Sequence, residues 1–400
     1  MSLNLPRLVF VVESPLTERD FHRFGIVTLR EMGYHVDVLD FSPVVQPARF
    51  VNTPPYNSDE FEYFTFLNSQ SISQYLESLD PSKCFLILFL RLQWETRRIF
   101  SVIDKRRLEY CFLRVGMQPP VGQSISNKTS RNLNTLAVAP HRALTIVARK
   151  IRNRFLSHVS YKEPKFVVLG GKPENENILE VHPSGPDTQM LPAHSFDYDF
   201  YIRQPKPHNE SDDYIVFLDQ MVGWHPDGEG LGRFQLMDFD SYNAKLLDTF
   251  DLLEDAYKMP VVVALHPRAC LAQASKIFKG RRIEKGLTNS LIANASLVLA
   301  HHSNAILFSI IYKKPLLFLN SSQYKVKELI DSWAAILGAP VQSMDLKDLV
   351  SRKIPVVNSE KYREYMDAYV RHPDDPDEDL WLNVGKRISS AMKFDLNSID

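Results

Sequence analysis

Apolar residues along this chain come in short unbroken runs, each followed by a polar break and then a helix-like stretch. The clearest series lies between Pro260 and Ser321. Val261-Val262-Val263-Ala264-Leu265 has no polar alternation, the pattern of a parallel strand buried on both faces. It breaks at His266-Pro267-Arg268, because proline removes a backbone donor and restricts the residue before it. A second unit runs from Arg281 to Gly286, with Thr288-Asn289-Ser290 opening a short helix. A third runs from Leu297 to Ala300, then His301-His302-Ser303-Asn304, then an apolar helix from Ala305 to Tyr312 with Ser303 as its N-cap. Pro315 to Leu319 closes the series. Strand, loop and helix in repetition predict a doubly wound parallel sheet, in which ligands bind where strand ends meet helix starts.

The same grammar opens the chain. Leu8 to Val12 reads as a buried strand ended by Glu13-Ser14-Pro15, Glu18 to Met32 as one helix stopped by Gly33, and Val36 to Phe41 as a second strand. No G-x-G-x-x-G follows the first strand, so no dinucleotide is expected on that turn. Residues 43 to 70, rich in Pro, Asn and aromatics, suggest a loop lining something or an irregular insertion. Ser71 to Leu79 and Trp94 to Lys105 are expected helices, with a strand from Phe85 to Leu90 between them; Leu108 to Gly116 is ambiguous. Asn132 to Phe155 predicts a long helix, and Phe166 to Leu169 a strand. Lys206 to Asp212 is the most linker-like stretch. Tyr214 to Leu218 then starts a second α/β half, with helices at Asp238 to Tyr257, Val326 to Leu337, Glu360 to Val370 and Leu380 to Met392. The expected architecture is α/β: two Rossmann-like domains, 1–205 and 206–400, facing a cleft, with a C-terminal helix able to cross back.

Composition narrows the class. A formal net charge of −1 gives no field to recruit nucleic acid, and Arg149, Lys150, Arg152 and Arg154 read as a solvated helix face. Three cysteines make no disulfide framework and suit a reducing compartment. No secretory signal is legible at the start, and no apolar run reaches the roughly 18 residues of a spanning helix. A cytoplasmic protein is expected, with peripheral docking on a membrane left open.

The candidate chemistry sits at strand ends. His266, Pro267 and Arg268 suggest a phosphate held by an imidazole and a guanidinium fork; the plainer reading is a turn in solvent. His302, Ser303 and Asn304 suggest an anion site at a helix start, although capping alone explains the serine. Gly286 and Thr288 supply a third loop on the same edge. Asp219-Gln220, with His225 and Asp227 beyond, offers a carboxylate for proton abstraction or for a sugar hydroxyl, or simply a turn cap. Glu13, His194, Asp197 and Asp199 are further candidates for a general base, and no spacing rule singles one out. His301 and His302 are adjacent and point apart, with no third ligand at usable spacing, so no metal is expected. A hydrolase elbow is absent from the sequence.

A strand ending in His266-Pro267, followed further on by one ending in Ser303 at a helix start, resembles the nucleotide-binding half of GT-B glycosyltransferases. The likeness is greatest to bacterial sialyltransferases and Kdo transferases, which use CMP-activated acidic sugars in capsule and lipopolysaccharide assembly. It covers the second half; the first matches only in general order, and the acidic pair that supplies the family's base has no clear counterpart. The resemblance implies a metal-independent transferase in which His266, Pro267 and Ser303 cradle the donor phosphate. Residues 1–205 then form the acceptor side and 206–400 the donor side. The implied partners are a nucleotide-sugar and a glycan or lipid-linked glycan, with no cofactor beyond the co-substrate. A UDP-sugar 2-epimerase, a CDP-polyol phosphotransferase and a non-catalytic scaffold remain alternatives.

Overall fold

The computed structural model describes residues 6–119, 161–172, 184–204, 213–222, 238–322, 324 and 327–393. Two compact units divide the chain. In the first, β1 (Arg7–Val12), α1 (Glu18–Arg23), α2 (Ile26–Glu31), β2 (His35–Asp40), α3 (Ser42–Val45), α4 (Pro47–Asn52) and β3 (Glu62–Thr65) come in order. They are followed by α5 (Ser69–Ser78), β4 (Cys84–Phe89), α6 (Arg97–Arg106), β5 (Glu109–Arg114), β6 (Phe166–Leu169), β7 (Gln189–Pro192) and α7 (Phe196–Arg203). The seven strands form one parallel sheet in the order β3-β2-β1-β4-β5-β6-β7. Both faces are covered, which is why the strands read as continuous apolar runs. Leu8, Phe10 and Val12 face α1 and α2; Val9 and Val11 face Ile72, Leu76, Ile99, Phe100 and Ile103 of α5 and α6.

The second unit contains β8 (Ile215–Leu218), α8 (Phe239–Tyr257), β9 (Val261–Leu265), α9 (Leu271–Ile277), β10 (Ile283–Lys285), α10 (Thr288–Asn294) and β11 (Leu297–Ala300). It continues through α11 (Ile306–Ile311), β12 (Leu316–Asn320), α12 (Lys327–Leu337), β13 (Val341–Ser343) and α13 (Ser359–Tyr365). Its six strands are also parallel, in the order β10-β9-β8-β11-β12-β13. Both orders start from 3-2-1-4-5-6, the Rossmann arrangement, so the chain carries two Rossmann-like α/β units.

Several expectations change. The single helix expected over 18–32 is two, broken at Gly25, whose φ is +54°. A Cβ there would lie 2.2 Å from the Trp381 ring, so the backbone turns to admit that ring. The stretch 43–70 holds α3, α4 and the edge strand β3, and the ambiguous 108–116 is the buried strand β5. The helix expected over Glu360 to Val370 ends as α-helix at Tyr365 and passes into a π-helical turn, Met366–Val370. The terminal residues do not stay with the second half: from Asp367 on, the chain belongs to the first unit. Here α14 (Leu380–Met392) buries Leu380, Trp381, Val384 and Ile388 against Phe10, Phe24 and Leu29. Trp381 Nε1 donates to the carbonyl of Arg23 at 2.6 Å and Tyr34 donates to that of Gly385 at 2.8 Å. The crossing-back expected of the last helix is thus realised as a missing layer of the first sheet. The Lys206–Asp212 linker and the 132–155 helix lie outside the described residues, as do Arg149 to Arg154.

Candidate functional site

Parallel register brings the sequence-predicted loops of the second unit to one edge. Leu218 pairs with Ala264, Phe217 with Leu299, and Lys285 with Leu265. Asp219-Gln220, His266, Gly286 and His302-Ser303 therefore all leave the sheet at its carboxyl edge. The strand order reverses between β8 and β11, where successive connections diverge to opposite sides and leave a crevice. Asp219 and Gln220 line one side of that point and His301 to Ser303 the other.

These residues are laced together by backbone contacts. Asp219 is buried, and its carboxylate accepts from the backbone N–H of Met221 (3.0 Å) and of His266 (3.3 Å). It thus fixes the exit of β9, and a role as proton acceptor is not what these bonds favour. Gln220 accepts the N–H of His302 at 3.0 Å through Oε1, tying β8 to the loop after β11. Lys285 donates to the carbonyl of Ala269 at 2.9 Å, holding the His-Pro-Arg turn from the third side. Lys285 is an organising residue that sequence reasoning left out of the site, and Gln220 was named there only beside Asp219, with no role of its own; neither role carries a local signal, because both side chains act on backbone from neighbouring strands.

The two histidines after β11 have different fates. His301 is fully buried. Its Nδ1 donates to the Leu319 carbonyl at 2.7 Å, so Nε2 is the acceptor for the hydroxyls of Tyr242 (3.1 Å) and Tyr324 (3.3 Å). Burial pushes its pKa down to about 4. It is a neutral anchor beneath the crevice. His302 is only partly buried and sits at the edge. His266, also partly exposed, accepts the backbone N–H of Arg268 on Nδ1 at 3.2 Å. A neutral His266 ring then carries its proton on Nε2, a donor suited to an oxyanion. Pro267 and Arg268 are exposed beside it.

One cap differs from expectation. Ser303 Oγ accepts from Ala305 N at 3.2 Å in a turn, and the six-residue α11 begins one turn later with Ala305 as N-cap and no side-chain cap. Asn304 is exposed in that turn. Thr288 is the first residue of α10, as expected of a residue that opens that helix. Gly286 is exposed at φ +83° with open space around it, so its backbone conformation, not crowding, favours glycine.

The first-unit candidates are engaged elsewhere. Glu13 pairs with Arg91 (2.9 Å) where β1 and β4 end. Asp197 pairs with Arg23 at 2.7 Å. His194 is fully buried between Asp375 (Nδ1, 3.0 Å) and Asp199 (Nε2, 3.2 Å). Burial alone would lower its pKa, but the bonds to Asp199 and Asp375 prevail and hold it above the ordinary histidine range. Asp199 also receives Arg203 (2.7 Å) and the backbone N–H of Leu380 (2.8 Å). His194 and Asp199 therefore fasten the returning C-terminal segment to the first unit, while Asp197 ties α7 to α1, and the three do not converge as a base on a solvent-facing surface. His225 and Asp227 lie outside the described residues.

No described protein family matches the chain, and no curated protein does. Among solved structures it is similar to CalG4, the calicheamicin glycosyltransferase, with 10% identity and a TM-score of 0.47 over 99% of this chain and 100% of that one. A putative UDP-N-acetylglucosamine 2-epimerase from Listeria monocytogenes gives 10% identity and 0.47, covering 97% of this chain and 96% of that one. MurG from Acinetobacter baumannii gives 10% and 0.45, covering 96% and 99%. These likenesses concern chain course alone and carry no conclusion about activity.

Proposed function

We propose that the protein is a metal-independent glycosyltransferase that takes a nucleotide-activated sugar, with a CMP-linked acidic sugar as the favoured donor and a bacterial surface glycan as the product. The observation that carries this reading is the meeting of His266 and Ser303 on the carboxyl edge of one parallel sheet, on the two sides of β8. Residues that fix the edge (Asp219, Gln220, His301, Lys285) are separate from the partly exposed His266 and Ser303 and the exposed Arg268, as a preorganised site requires. The His-Pro and serine pattern favours a CMP donor through its resemblance to the sialyl- and Kdo-type transferases. In the reaction an acceptor hydroxyl oxygen forms a bond to the anomeric carbon while the bond from that carbon to the donor phosphate breaks. The hydroxyl proton passes to a base, and the nucleotide leaves as an anion. His266 Nε2–H and the Arg268 guanidinium would take up the charge appearing on that phosphate. An epimerase acting on a UDP-sugar is the second reading, since phosphate-binding loops of this kind serve either chemistry.

The test is a thermal-shift panel of CMP, CDP, UMP, UDP and GDP with the unmodified protein and His266→Ala, followed by transfer assays with the nucleotide that binds. A ligand bound only by the native state stabilises it by about 2.7 kcal/mol at a hundredfold excess over its dissociation constant. A shift with CMP, lost in His266→Ala, is expected, and kcat should fall about a hundredfold in that variant. A shift with UDP alone moves the reading to a UDP-sugar enzyme. No shift with any nucleotide overturns the donor site.

A further inference from the structure

At the opposite, amino edge of the first sheet, three side chains converge that no candidate chemistry above uses. His35 and Asp37 are two apart on β2 and so share a face; Glu62 is paired with Asp37 across to β3. His35 Nε2 lies 3.0 Å from Asp37 Oδ1 and 3.6 Å from Glu62 Oε1. The Asp37 side chain is fully buried, and its Oδ2 already receives Arg7 Nη1 and the Tyr75 hydroxyl, each at 2.8 Å. Its Oδ1 is sealed from solvent and takes no hydrogen bond, and the same holds for His35 Nε2. Two buried polar atoms at 3.0 Å that do not bond each other are costly unless a third centre satisfies both.

We propose that His35 Nε2, Asp37 Oδ1 and Glu62 Oε1 bind one divalent transition-metal ion of the zinc type. Ligand atoms about 2.1 Å from a tetrahedral ion stand roughly 3.4 Å apart, close to the spacings here. A nitrogen and two carboxylate oxygens suit Zn²⁺ or Co²⁺ better than a hard cation, and half-exposed Glu62 leaves the fourth position to water. Arg7 and Tyr75 orient the central carboxylate from behind. The ion would pin the edge strand β3 to β2. It plays no part in the transfer reaction, which belongs to the carboxyl edge of the other sheet.

The full-length protein, stripped with a chelator, is titrated with Zn²⁺ by calorimetry and with Co²⁺ by its visible ligand-field absorption, alongside thermal unfolding. One ion per chain, a tetrahedral Co²⁺ spectrum and a raised Tm are expected, all lost in His35→Gln and weakened at least tenfold in Glu62→Gln. Cys270→Ser, which removes the exposed thiol, should leave uptake unchanged. Absence of uptake, uptake that survives His35→Gln and Glu62→Gln, or uptake abolished by Cys270→Ser overturns the site; the cluster would then be a histidine–carboxylate ion pair. None of these readouts depends on nucleotide binding.

Discussion

His301 and His302 are neighbours in sequence with opposite roles, and the difference is burial. His301 is held neutral by its carbonyl and tyrosine partners, with a folded pKa near 4 against an unfolded value of about 6.5. Because the folded value is the lower one, the unfolded chain binds the extra proton between these limits. The contribution is complete above about pH 6.5 and is lost as pH falls toward 4, amounting to roughly 3 kcal/mol. Urea unfolding of the second unit, followed from pH 7 to 4, should show this slope, and His301→Gln should flatten it. Equal slopes in the two proteins would show that His301 is not the titrating group. A histidine pair reads identically in sequence whichever member is buried, which is why only the structure separates His301, held by the Leu319 carbonyl, from His302 at the edge.

At the scale of elements, the central strands of the first sheet were legible because both of its faces are covered, leaving unbroken apolar runs, whereas the half-exposed edge strand β3 reads as loop. The helix break at Gly25 was not, since its cause is a tryptophan at the far end of the chain. Gly25→Ala places a Cβ against Trp381 and adds a left-handed backbone penalty. Its expected cost is about 2 to 4 kcal/mol, measured by equilibrium denaturation, with the larger share from the ring. In a Trp381→Ala background Gly25→Ala should cost less than it does alone, because the clash is with the ring, although Trp381→Ala destabilises the core in its own right; strictly additive costs would contradict the contact.

At the scale of the whole molecule, the return of residues 367–393 to the first unit makes that unit dependent on the chain's end. Truncation before Asp367 should expose Phe10, Phe24 and Leu29 and abolish hydrogen-exchange protection in the first sheet, while the second sheet keeps its own. Survival of the first sheet's protection would refute the dependence. The fastening at His194 adds a pH signature opposite to that of His301. Its folded pKa is raised, so its contribution is present below about pH 6.5 and is lost as pH climbs through the folded value. The first unit should therefore weaken on the alkaline side and the second on the acid side, read separately by hydrogen exchange. Asp375→Asn should remove part of the alkaline effect.

By itself the sequence determined the strands that read as unbroken apolar runs, the α/β character of both halves and the loops that follow those strands, because buried parallel strands and their breaks are local patterns. It placed His266, Gly286 and Ser303 at strand ends, and the shared register then put them on one edge. Only the tertiary structure decided which polar residues are already taken. Glu13 meets Arg91, Asp197 meets Arg23, and His194 meets Asp375. Those partners are supplied by other strands and helices, one of them by the returning segment, and no periodicity along the chain encodes a partner that distant. The same holds for His35, Asp37 and Glu62, two on one strand and one on an edge strand hidden in what reads as a loop.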